Sequence, residues 1–266
     1  MRARCRFAVA VFVSSLFLAS SLDAATATRE FRETVPFASG NELQVENVNG
    51  RVSVSSWDRE EVEIYAEITV KASSKRRAED FMDEVEIRID KFSRGLRVEP
   101  DYPRPGGGGF WSWIFGRRPP QVEVNFWIKV PRRSDLELRT VNGTVSVEDV
   151  DGRFRLKTTN GRILAERIEG SLDASTVNGR IRVEFDRVDP EGDVSLKAVN
   201  GSVRIYLPED VQADVRASAV NGSVETDFPL ERTGKYARKS LRGSLNGGGA
   251  AIEIETVNGS IDILMK

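Results

Sequence analysis

From about residue 38 onward, apolar and polar residues alternate along most of the chain, and the alternation is organised around a recurring Asn-Gly pair. The pair begins at Asn49, Asn142, Asn160, Asn178, Asn200, Asn221 and Asn258. Six, four and two residues before the Asn stand apolar or small side chains: Leu136, Leu138 and Thr140 in one unit, Phe154, Leu156 and Thr158 in the next, Ile252, Ile254 and Thr256 in the last. Three and five residues after it the pattern resumes, as at Val145 and Val147, Ile181 and Val183, or Ile261 and Ile263. A period of two on both sides of a glycine turn predicts two strands per unit, each with one buried and one wet face. Gly143, Gly152, Gly161, Gly170 and Gly179 fall on an even nine-residue beat, and one unit takes two beats, from Asn142 to Asn160 and from Asn160 to Asn178. The later units, from Asn178 to Asn200, Asn221 and Asn258, are longer.

Two architectures produce this pattern. Each Asn-Gly is either a tight hairpin turn in an antiparallel meander or barrel, or a corner in a parallel β-helix whose coils stack on one another. The recurrence of like residues at like places, with Thr or Ala two before the Asn and a β-branched residue three after it, favours the solenoid. Asn suits such a corner because it tolerates left-handed backbone geometry and its amide can pair with the rung above.

Residues 62–130 interrupt the repeat. The pattern predicts a strand at 62–70, then a helix capped by Ser73 or Ser74 and running to about Val85, with Ala78, Phe81, Met82 and Val85 on one face. Strands are expected at 85–90, 96–99 and 122–130. This α+β insertion near the N-terminus is expected to cap one end of the solenoid, whose open strand edges would otherwise recruit other chains.

Before the repeat lie a basic start (Arg2, Arg4, Arg6), an apolar run from Phe7 to Leu22 and a small-residue stretch from Asp23 to Ala27. This is the layout of a secretory signal peptide, cleaved after Ala24 or Ala27. The apolar run is shorter than the roughly 20 residues that span a bilayer. The expected organisation is a signal over 1–27 and one solenoid domain over 37–266, in an extracytoplasmic protein of the cell envelope or secreted.

Composition narrows the chemistry. The 266 residues include no His and a single Cys, Cys5, which lies in the segment to be removed. Histidine-based triads, His-ligated metals and a disulfide framework are therefore absent from the mature chain. The net charge of −2 becomes −4 without residues 1–27 and argues against a nucleic-acid partner. No metal or other cofactor is expected.

The Thr-Val-Asn-Gly units at 140–143, 176–179 and 256–259, together with Asn246-Gly247-Gly248-Gly249 running into Ile252, Ile254 and Asn258, resemble the bacterial putative adhesin family of unknown function. The resemblance covers residues 38–266. It implies a right-handed single-stranded β-helix in an envelope or secreted protein, and no established activity.

Three groups of residues carry the possible chemistry. Residues 103–120 (PRPGGGGFWSWIFGRRPP) are denied regular structure by Gly and Pro yet hold Phe110, Trp111, Trp113, Ile114 and Phe115 followed by Arg117 and Arg118, a combination suited to a membrane interface or a partner's groove. Outward positions after the Asn place Arg162, Arg180, Arg182 and Arg204 in columns that could face an anionic ligand, beside a column of Glu148, Glu166 and Glu184. Asp149, Asp151, Asp173 and Asp186 are the carboxylates available to a polysaccharide-cleaving enzyme, but no tight pair emerges among them. The expectation is a non-catalytic binding, adhesion-like or scaffold protein whose partner is an envelope protein, a glycan, a membrane surface or a second copy; the competing expectation is a carbohydrate-active enzyme on the same fold.

Overall fold

The computed structural model describes residues 25–102, 120–230 and 239–266. In the evenly spaced region the strands before each Asn, β8 (Asp135–Asn142), β10 (Asp151–Asn160) and the second half of β11 (Ile163–Asn178), lie parallel. Leu136 stacks on Phe154 and Phe154 on Leu172, so each step advances by one whole unit of the repeat. The strands after each Asn stack likewise: β9 (Val145–Glu148), the first half of β11, β12 (Ile181–Val188) and β14 (Val203–Leu207). Parallel pairing between units identifies an all-β solenoid and excludes the meander for these coils. The alternating apolar residues named above are buried between the two faces.

The Asn-Gly corner is a stack of three ladders. Each Asn amide donates to the Asn oxygen of the preceding rung: Asn142 to Asn49 (2.8 Å), Asn160 to Asn142 (2.8 Å), Asn178 to Asn160 (2.8 Å) and Asn200 to Asn178 (2.9 Å). At the starting end, Asn49 Nδ2 donates to the Val122 carbonyl at 3.2 Å. Where the residue two before the Asn is Thr, at 140, 158, 176 and 256, it is buried and donates its hydroxyl to a neighbouring rung's glycine carbonyl, as Thr158 does to Gly143 (3.1 Å) and Thr256 to Gly201 (2.9 Å). The glycine is there for close approach, because a Cβ on Gly179 would stand 1.6 Å from the Gly161 carbonyl oxygen. Left-handed backbone plays no part at these Asn residues: among the described residues, the non-glycine positions with positive φ are Asp149, Arg167 and Asn246. Asn is selected here by its amide, which can both donate and accept along the stack.

Coil order departs from chain order at the C-terminal end. After β13 (Asp193–Asn200), the next unit in sequence, β15 (Ala213–Asn221) with β16 (Val224–Thr226), does not stack on it. The last unit, β18 (Ala250–Asn258) with β19 (Ile261–Met265), lies between them. Val194 pairs with Ile252 and Ile252 with Val215, while β19 joins β14 to β16. The amide ladder follows the spatial order, Asn258 donating to Asn200 (2.7 Å) and Asn221 to Asn258 (2.9 Å). On the outer side of β15, β17 (Ser240–Leu245) runs antiparallel. The chain then crosses the start of β15 through Asn246, Gly247, Gly248 and Gly249, all at positive φ, with Asn246 Nδ2 donating to the Glu209 and Val211 carbonyls at 3.0 Å each.

The opposite end is closed by the insertion. β2 (Glu42–Glu46) and β3 (Val52–Trp57) form the Asn49 coil, and beyond them β6 (Gly95–Asp101) and β7 (Gln121–Pro131) add one more parallel rung. Antiparallel strands finish both faces: β5 (Glu86–Phe92) on β6, and β4 (Glu61–Ala72) on β7. The helix α1 (Lys75–Glu84), with Ser74 as N-cap, buries Ala78 and Met82. The sheet starts earlier than the repeat does, since β1 (Ala25–Pro36) pairs with β4 along its whole length. β1 is an edge strand among the described residues, and its half-buried Arg29 and Glu33 oppose further pairing there.

Candidate binding face

The second strands of the coils turn alternate residues to solvent, and two adjacent columns of these hold the four candidate arginines. Arg162 and Arg180 occupy neighbouring rungs of one column, because Ile163 pairs with Ile181. Arg182 and Arg204 face each other directly in the next column. The fold therefore brings the four cations into one patch over three coils.

Their environments differ. Arg204 is neutralised by Asp262 on the next rung, donating Nε and Nη2 to Oδ2 at 3.1 and 2.9 Å, and this pairing raises its pKa. Arg182 lies over the Tyr206 ring at 4.7 Å with Glu166 4.0 Å away, and its Nε is buried without a hydrogen-bond partner. Arg162 and Arg180 are exposed, and neither side chain makes an ion pair or hydrogen bond among the described residues. The Glu column beside them is consumed by cross-pairing: Glu148 by Arg167, Glu166 by Arg182 and Glu184 by Lys266. A surface hollow of 820 Å³ at the β16 edge, lined by Arg204, Asp227 and Asp262 among others, takes its only arginine from the pair already described.

The four aspartates do not converge, and each has a cation. Asp149 accepts from Arg167 Nε at 2.7 Å, which holds its carboxyl below the ordinary range. Asp151 lies 3.9 Å from Arg133, Asp173 3.9 Å from Arg155 and 4.0 Å from Lys157, and Asp186 accepts from Lys266. No group of three or more His, Cys, Asp or Glu residues with metal-binding geometry occurs among the described residues. No described helix is long and apolar enough to cross a membrane.

Residues 103–119, and with them Phe110, Trp111, Trp113, Ile114, Phe115, Arg117 and Arg118, lie outside the described residues. Their flanking strands do not. β6 pairs with β2 before Asn49 and β7 with β3 after it, so the segment is inserted where the cap rung would otherwise carry its own Asn-Gly.

A feature that residue type alone did not single out runs along the same corner. The residue before each Asn is Val in six of the seven units, and Val177, Val199, Val257 and Val220 are exposed on consecutive rungs, by 41%, 41%, 40% and 59%. The signal was legible as an apolar residue in an outward position, hidden by its membership of the Val-Asn-Gly turn.

No curated protein matches this chain. Among solved structures, a protein of Clostridium sporogenes described as a putative cell adhesion protein aligns at 15% identity and TM-score 0.49, over 90% of this chain and 100% of that one. A putative adhesin of Bacteroides fragilis aligns at 10% identity and TM-score 0.41, over 90% and 97%. A putative lipid binding protein of Parabacteroides distasonis aligns at 11% identity and TM-score 0.30, over 91% and 97%. The family profile named Toastrack DUF4097 matches residues 34–264, nearly the whole described solenoid, and the chain belongs to that family.

Proposed function

We propose that this protein is a non-catalytic binding or scaffold protein that acts outside the cytoplasm. The observation that carries this reading is the charge pairing of the coils: Asp149, Asp151, Asp173 and Asp186 are each tied to a cation, at separate places, while the Asn ladder and the exposed valine row beside it repeat from rung to rung. A general acid or base works best with a pKa near the working pH, and the hydrogen bond from Arg167 moves the Asp149 carboxyl the other way. Rigid repetition suits contact with an extended partner.

Export follows from the sequence of residues 1–24, and the strand pairing supports cleavage after Ala24. Cutting after Ala27 would remove Ala25, Thr26 and Ala27 from β1, where they pair with Ala72, Lys71 and Val70. The aromatic segment around Trp111 and Trp113 is the second contact element of this reading, directed at a membrane interface or partner. The test is to incubate the purified chain from Ala25 with acidic and neutral polysaccharides, anionic vesicles and envelope extract. Retention of a partner without chain cleavage is the expected result. Depolymerisation that disappears on substitution of a single aspartate would overturn the reading in favour of a carbohydrate-active enzyme.

A further inference from the structure

The position two residues after each Asn carries, in spatial order from the capped end, Arg51, Thr144, Arg162, Arg180, Ser202, Ser260 and Ser223. Every member is a cation or a hydroxyl, and no carboxylate interrupts the column. At about 4.8 Å per rung it forms a straight line of donors about 29 Å long. Elsewhere on the outer faces arginines are commonly matched to acids, as Arg153 is to Asp135, Arg155 to Glu137 and Arg167 to Asp149. The side chains of Arg51, Arg162 and Arg180 make no such match among the described residues, and all three are exposed.

On the other side of the Asn ladder, close beside this line, runs the exposed row Val177, Val199, Val257 and Val220. The Asn amides between the two rows are committed to one another. The corner is thus a long ridge with donors and positive charge along one flank and an apolar strip along the other.

We infer that this corner is a track for an extended anionic polysaccharide, its acidic groups on Arg162 and Arg180, its hydroxyls on Ser202, Ser260 and Thr144, and the C–H face of its sugar rings on the valine row. The inference rests on the binding reading above and names its ligand class. Charge complementarity selects an anion, and the length of the line selects a polymer over a single ion. The apolar strip matches the two-sided surface of a sugar chain. Duplex nucleic acid is disfavoured, because its affinity comes from many phosphate contacts and the chain as a whole is net negative.

The experiment measures binding of the chain from Ala25 to polygalacturonate, heparin and neutral dextran, in low and in physiological salt. The wild type should retain both polyanions and not dextran, with retention weakening as salt rises. The double variant Arg162→Gln/Arg180→Gln should bind at least about tenfold more weakly with an unchanged melting temperature, since neither side chain holds the fold. Val199→Ser/Val257→Ser should weaken binding without altering its salt dependence. Equal binding of dextran, or polyanion binding that survives the arginine double variant, overturns the assignment. Loss of binding to anionic vesicles in that variant, with no glycan retained by the wild type, also overturns it in favour of a lipid surface. If no polyanion binds but an envelope partner is still captured without cleavage, the track is wrong and the wider binding reading stands.

Discussion

The central coils and the C-terminal coils are built from the same unit and assembled by different rules. Between residues 135 and 207 each coil stacks on the one before it in sequence. Between 208 and 266 the last coil enters from the chain terminus and occupies a middle rung, with β13 on one side and β15 on the other. Both regions keep the same in-out register and the same amide ladder. Units this similar can accept one another as neighbours in more than one order, and the connections then decide which order is realised. The short, even beat of the central region leaves room only for the next coil, whereas the long stretch from Asn221 to Ala250 allows the chain to go round β15 and return inside it.

Deleting residues 250–266 should show the largest effect. In a solenoid stacked in chain order, loss of the final coil trims an end; here it removes an internal rung and leaves β13 and β14 on one side, β15 and β16 on the other, with unpaired edges. The truncated chain should aggregate or melt at least about 10 °C lower, judged by circular dichroism and size exclusion. A soluble monomer whose melting temperature falls by only a few degrees would contradict the out-of-order coil.

Glycines of the two regions sharpen the contrast. Gly179→Ala would drive a methyl group to 1.6 Å from the Gly161 carbonyl oxygen, between two rungs that cannot separate without breaking the sheet, and should cost about 3 kcal/mol in denaturant unfolding. At Gly247 the space is open and the difficulty is φ of 93° alone, so Gly247→Ala should cost about 1 kcal/mol. Equal costs would mean that the central corner yields more easily than its packing indicates.

The amide ladder gives a smaller difference. Asn178 donates to Asn160 and accepts from Asn200, whereas Asn221 stands at the end of the ladder and donates to Asn258. With about 0.5 to 1.5 kcal/mol for each hydrogen bond, Asn178→Ala should destabilise roughly twice as much as Asn221→Ala. Chemical unfolding of the two variants side by side tests the ratio.

The smallest effect expected is at Asp149, whose carboxyl is held below its ordinary pKa of 3.8 by Arg167. A carboxyl with a depressed folded pKa adds stability above its unfolded pKa, and that contribution is lost as pH falls through the folded value. Asp149→Asn should therefore cost about 0.5 kcal/mol at neutral pH, little because the pair is largely solvated, and nothing once the wild-type carboxyl is protonated. A deficit that persists at low pH would show that the charge pair with Arg167 is not its source, since Asn accepts the left-handed backbone at this position, φ 58°, as readily as Asp does.

Sequence by itself determined the local rules of this protein. The period of two set which residues enter the core, and Leu136, Phe154 and Leu172 are buried where alternation placed them. Ser74 and the helix it caps, and the strands of the 62–130 insertion, were legible for the same reason: caps and alternation act over a few residues. The patch of Arg162, Arg180, Arg182 and Arg204 followed from register alone, since stacking one unit on the next puts equivalent positions side by side. Tertiary structure decided the rest. Whether a given arginine is free or neutralised depends on the rung above it, and Arg204 meets Asp262 only because the last coil was inserted there. The role of Ala25 to Pro36 also came from outside the repeat, through antiparallel pairing with β4, a strand that the Asn49 coil separates from it in the chain. Stacking order could not be read from units that are nearly interchangeable, because it is settled by the reach of the connections between them.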